Sequence, residues 1–233
     1  MGSFYVLDKI YAAYVERYAG GQWENDTRSR CPGCGIWLPE TEPDEIQIAL
    51  NHLGRDGFAE LLWNSHGLPI FREDLVEVWQ QAGLTGFHPR PVRIVGWDDR
   101  PNKPLPTGIP NYYRLVLTST VRLSEPPPES NGRPCCGFVR YAFPKGTERL
   151  EHGIVIDEQT WDGADFMGLY GYEFVFCTRR AAQVTLEAGY NRHIAFVRQG
   201  DWGRWESFRV DAWEHKAYRK YMETFLIRDP ARL

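Results

Sequence analysis

Short apolar runs broken by glycine, proline and acidic turns set the rhythm of this chain. Phe4 to Leu7 reads as a strand, because aromatic and β-branched side chains suit a pleated, half-buried surface. Tyr11, Tyr14 and Tyr18 then recur at helical spacing, which predicts a brief helix over Ile10 to Tyr18 that Gly20-Gly21 ends. Leu68 to Phe71 is a short strand. Arg72 to Ala82 is a helix with Leu75, Val76 and Trp79 facing inward, stopped by Gly83 in the left-handed cap position. Pro91 to Val95 supplies the next strand, and Tyr112 to Arg122 alternates well enough for another. Two proline-rich stretches, 99–110 and 125–133, read as a surface loop and a linker. Ala212 to Thr224 looks like a terminal amphipathic helix.

The strand–helix–strand unit recurs at an offset of 106. Asp56-Gly57 matches Asp162-Gly163, Val78 matches Val184, and Ala82-Gly83 matches Ala188-Gly189. Phe174-Val175-Phe176 stands for the strand before the helix and Ile194 to Val197 for the strand after it. Turn and cap residues kept at one spacing favour an internal duplication. The expected fold is therefore α+β, with two related α/β halves (1–110 and 111–233) forming one compact unit.

Each half also carries a cysteine knuckle. The first is Cys31-Pro-Gly-Cys34-Gly35 and the second Arg133-Pro134-Cys135-Cys136-Gly137. A pair of Cys-x-x-Cys-Gly knuckles is a frame for tetrahedral zinc, so the halves are expected to join at a zinc-ribbon-like site. Its ligands would be Cys31, Cys34 and Cys136, with Cys135 the fourth if the vicinal pair splays, and Zn2+ the cofactor. One competing reading packs these cysteines as small hydrophobes, and another lets the Arg133 cation offset part of the charge of three thiolates in place of the metal. Cys177 sits in an apolar run and is expected to be buried. His66 and His152 are further candidates for a zinc shell.

Composition adds limits. The chain has 233 residues, a formal charge of −4, and 9 Trp, 12 Tyr and 12 Phe. A mild acidic balance without a basic stripe argues against a grip on phosphate backbones, and ring-rich surfaces make interface anchors. No apolar run is long enough to span a bilayer and no leader is visible, so a cytoplasmic protein with reduced thiols is expected. There is no Gly-x-Ser-x-Gly elbow, His-Glu-x-x-His or P-loop. Gly35-Ile36-Trp37-Leu38-Pro39 is not the helix start that a thioredoxin-like dithiol needs. Asp162 and Asp165 more simply hold a turn. Two acidic clusters, Glu40 to Glu45 and Glu73 to Glu77, either solvate the surface or steer a basic partner. An enzyme is not expected.

In order and spacing these features resemble the double-CXXCG motif family described from myxobacteria. The resemblance runs from the Phe4 to Leu7 strand and Gly21-Gln22-Trp23 through the first knuckle to Gln81-Ala82-Gly83-Leu84-Thr85-Gly86. It continues over the second knuckle, Trp161-Asp-Gly-Ala-Asp-Phe166 and Glu187-Ala188-Gly189. The departure is Arg133, where the family has cysteine. What the resemblance implies is an immunity protein that binds and neutralises a cognate polymorphic toxin by covering its active site. The acidic charge suggests a basic toxin such as a nuclease. The alternative is a zinc-ribbon nucleic-acid-binding or regulatory protein, for which Arg28, Arg30, Arg133 and Arg140 would have to converge. A thiol oxidoreductase is a third reading.

Overall fold

A computed structural model describes residues 4–9, 20–23, 46–52, 58–64, 69–97, 102–124, 155–169, 175–201 and 224–233. The strands are β1 Phe4–Lys9, β2 Gly20–Trp23, β3 Ile46–His52, β4 Leu61–Asn64, β5 Pro69–Arg72, β6 Phe87–Trp97, β7 Tyr112–Leu117, β8 Thr120–Val121, β9 Phe166–Leu169, β10 Val175–Thr178 and β11 Ile194–Arg198. Helix α1 is Glu73–Gln81 and helix α2 is Arg179–Glu187. Both cysteine knuckles, the helix expected over Ile10 to Tyr18 and nearly all of that expected over Ala212 to Thr224 lie outside the described residues. Among the described residues, no helix is long and apolar enough to cross a membrane.

The class is mixed α+β, as the punctuation implied. One sheet is five-stranded in the order β11-β1-β10-β9-β8, and the other closes into a barrel in the order β2-β3-β6-β7-β5-β4. Closure leaves that second sheet no open edge to pair with another chain.

Strand alternation sorts the core into three layers. Ile46, Ile48, Leu50, Leu62, Ile70 and Val92 fill the barrel. Their neighbours Leu61, Phe71, Phe87 and Leu115 point out of it and meet Trp79 of α1, together with Tyr5, Leu7, Val175, Cys177 and Phe196 from the five-stranded sheet. Phe4, Val6, Met167, Phe176 and Val197 cover that sheet's far face. The two helices thus share the central layer between the sheets. At its heart, Trp79 holds ring centroids 5.0 Å from Phe71 and 4.8 Å from Phe166.

Helix α1 buries Leu75, Val76 and Trp79, the three residues the periodicity selects. It closes on a left-handed Gly83 at φ 65° with a backbone bond from Leu84 N–H to Trp79 O, a Schellman-type end. Helix α2 closes the same way, with Gly189 at φ 88° and Tyr190 N–H bonded to Thr185 O.

The likeness extends beyond the helices. An offset of 106 carries the bounds of β5 onto β10 and those of α1 onto α2. The pairing of β4 with β5 (Leu61 opposite Phe71, Leu62 opposite Ile70) recurs as β9 with β10 (Phe166 opposite Cys177, Met167 opposite Phe176). The offset there is 105 on the first strand and 106 on the second. Arg72 N–H donates to Glu60 O, and Thr178 N–H donates to Asp165 O, at the same two places.

Candidate functional site

An acidic residue stands just before each of two strands: Glu60 ahead of β4 and Asp165 ahead of β9. Both carboxylates are buried, and both bind residues distant in the sequence. Asp165 accepts from the Thr85 backbone N–H at 3.1 Å, from the Thr178 hydroxyl at 3.0 Å and from Arg180 at 2.8 Å. Glu60 accepts from the His193 backbone N–H at 2.8 Å and meets the His193 ring at Nδ1. A carboxylate removed from water is tolerated only when such donors replace its hydration.

Arg72, Asp74, Tyr112 and Tyr190 lie within electrostatic reach of Glu60 or of its neighbours. Burial works against a charge on Glu60, but the hydrogen bond and charge of His193, helped by backbone donors, hold its carboxyl below the usual carboxylate range. Arg72 grips Asp74 through two nitrogens at 2.7 and 2.8 Å and donates a third bond to Phe58 O. That fork keeps the Asp74 carboxyl low despite partial burial. The Tyr190 hydroxyl, pushed up to about 12 by burial and by its bond to Asp74, stays a donor. Tyr112 donates to Ala59 O at 2.7 Å, and burial pushes its hydroxyl up as well.

A carboxylate beside an imidazole is the raw material of acid–base catalysis, which also needs a proton-bearing atom within reach of substrate. Here Glu60 is 5% exposed and His193 is 7% exposed. The far ring nitrogen of His193, Nε2, is buried without a hydrogen-bond partner among the described residues. The pair therefore ties the residues before β4 to those before β11.

The predicted ligands Cys31, Cys34, Cys135 and Cys136 lie outside the described residues, as do His66, His152 and the four arginines of the nucleic-acid reading. Among the described residues, no three histidine, cysteine, aspartate or glutamate side chains gather as a metal group would. Cys177 is a free, fully buried thiol, which burial and then the Asp165 charge push up. It is thereby kept from thiolate chemistry.

Other expectations can be placed. Asp162 holds its turn, accepting from Ala164 N–H at 3.0 Å and from the Ser119 hydroxyl at 2.8 Å. Of the acidic cluster at Glu73, Asp74 and Glu77, the first two are engaged inside the molecule. Glu73 accepts from Asn111 at 2.9 Å and from Tyr113 at 3.1 Å, and Asp74 is held by Arg72. Neither Glu60 nor His193 is among the residues that the sequence pattern singles out. A signal was present: Ala59-Glu60-Leu61 and Ala164-Asp165-Phe166 both read small, acidic, apolar, at the start of β4 and of β9. No protein-family model matches the chain, and no curated protein matches it.

Proposed function

We propose that this chain is a binding protein of the toxin-immunity kind, which neutralises a cognate, basic toxin by covering its active site. The observation that carries the reading is the order of motifs, with a leading strand, a cysteine knuckle and a strand–helix–glycine unit occurring in that order twice along one chain. In this reading the halves 1–110 and 111–233 arose by duplication, and the knuckles join them through Cys31, Cys34, Cys135 and Cys136 holding Zn2+. The matched element bounds and registers support the duplication. The internal use of Glu60, Asp165 and His193 supports a scaffold that works through its outer surface, where charge matched to a basic partner speeds encounter.

The test is to mix the purified chain with the toxin domain encoded beside it. A complex persisting at sub-micromolar concentration, with loss of toxin activity, is the expected result. Absence of a complex at micromolar concentration sinks the reading. If instead the chain binds nucleic acid with a steep salt dependence, the zinc-ribbon alternative takes its place.

A further inference from the structure

We infer that the two repeated units have exchanged their leading strands, so that neither unit holds the strand that completes its own sheet. The inference rests on the duplication proposed above and concerns what binds the halves together.

In sequence, β1 precedes the first knuckle and β7 precedes the second, so each opens its own half. In space they change places. β1 lies between β10 and β11, both belonging to the second half. β7 lies between β5 and β6, both belonging to the first. All of these pairings are antiparallel.

The registers agree residue by residue. Phe4, Tyr5 and Val6 oppose Thr178, Cys177 and Phe176 on one side. Tyr112, Tyr113 and Arg114 oppose Arg72, Phe71 and Ile70 in the other half, which are the 106-shifted counterparts. On the far side, Val6, Leu7, Asp8 and Lys9 oppose Val197, Phe196, Ala195 and Ile194. Arg114, Leu115, Val116 and Leu117 oppose Arg90, Pro89, His88 and Phe87. A slip of one residue in any of these pairings would turn a core face to the wrong side, so agreement across two strand interfaces specifies one shared slot.

Contacts across the seam follow the same exchange. Trp79 and Thr185 occupy like positions in α1 and α2, and the Trp79 indole N–H donates directly to the Thr185 hydroxyl at 2.7 Å. Glu60 of the first half accepts from His193 of the second, while Asp165 of the second accepts from Thr85 of the first. Residues at like positions touching one another, and carboxylates at like positions reaching in opposite directions, are what an isologous pair of related units would show. The slot between β10 and β11 is thus an interaction surface whose fitting partner is the leading strand of another such unit, supplied here by the same chain.

The experiment cuts the full-length folded chain. A protease site inserted after Gly108, exposed in the connection from β6 to β7, separates the halves without touching a strand. Exchange predicts that the nicked chain still elutes at the size of the intact one under native conditions. Two self-contained pieces eluting apart would overturn the exchange while leaving the duplication standing. Two variants in which Cys31, Cys34, Cys135 and Cys136 are changed to serine, so that no knuckle disulfide can join the pieces, then read the strands. They are refolded in an oxidising thiol buffer while Cys177 is open to solvent, and are then nicked. Tyr5→Cys faces native Cys177 across β1 and β10, and the double variant Phe71→Cys/Tyr113→Cys makes the equivalent pair across β5 and β7. Both should keep the pieces covalently joined in denaturant until reductant is added. If only one pair joins them, the units are not equivalent, and the duplication falls with the exchange. Toxin binding is measured separately and does not enter this outcome. Should the cysteine variants fail to fold, elution of the nicked parent chain decides.

Discussion

Thr185→Val removes the hydroxyl that receives the Trp79 indole while nearly keeping side-chain shape. Trp79 is 0% exposed, packed against Phe71, Phe87 and Phe166, so its Nε1–H cannot turn to water. A buried donor left without an acceptor costs about 1–3 kcal/mol. At about 2–4 °C per kcal/mol for a chain of this size, the variant should melt roughly 4–8 °C lower for a mid-range loss. Trp79→Phe carries its own penalty, because the smaller ring leaves space in the central layer. Combining the two changes removes the stranded donor, so the double variant should be less destabilised than the two losses together, by about 1–2 kcal/mol. Urea unfolding of the parent, both singles and the double supplies the cycle. A coupling within about 0.5 kcal/mol of zero would refute the idea that this bond fastens α1 to α2. Calorimetry adds a second check. The central layer draws on both sheets, so one cooperative transition is expected, and two well-separated transitions would contradict a shared core.

Three further outcomes are expected. Because the Glu60 carboxyl is held low in the folded chain, its contribution is complete above the ordinary carboxylate range and is lost as pH falls through the lowered value. Glu60→Gln should therefore be less stable at neutral pH and flatter toward about pH 3, and parallel stability curves for the two proteins would contradict this. Gly86→Ala should cost at least twice as much as Gly163→Ala. Both glycines have positive φ, but a Cβ at Gly86 would meet the Phe166 carbonyl oxygen at 2.0 Å, whereas at Gly163 nothing lies within 4 Å. Gly163→Ala should lose only the backbone strain of about 1–2 kcal/mol; equal losses in denaturant titrations would be the contrary result. Finally, elemental analysis of chain purified without chelator should find zinc that Cys31→Ser removes, and metal-free protein would rule out the ribbon reading.

Local patterning made one half of each unit legible. The spacing of Leu75, Val76 and Trp79 and the glycine after Ala82 named α1, its buried face and its end, because helix periodicity and a left-handed cap are written within a dozen residues. Strands β10 and β11 showed in the same way as continuous apolar runs. By contrast, β3, β4 and β9 drew no strand prediction. The strand expected over Pro91 to Val95 runs the longer course Phe87–Trp97, although Pro89 and Pro91 donate no N–H to the ladder. Tyr112 to Arg122, which alternates as a single strand, breaks at Thr118 and Ser119, sending β7 to the barrel and β8 to the other sheet.

The chain's order of residues alone determined that a strand–helix–strand unit recurs near 106 residues apart, and which side of its helix is buried. It did not determine which strand completes which sheet. Alternation prepares a strand for any slot of matching pleat, and only the simultaneous fit of Tyr5 and Leu7 on one face and Phe4 and Val6 on the other selects the place between β10 and β11. The roles of Glu60 and His193 were decided in the same way. They stand 133 residues apart, so a buried carboxylate with an imidazole for its partner exists only once distant segments of the chain have closed on each other.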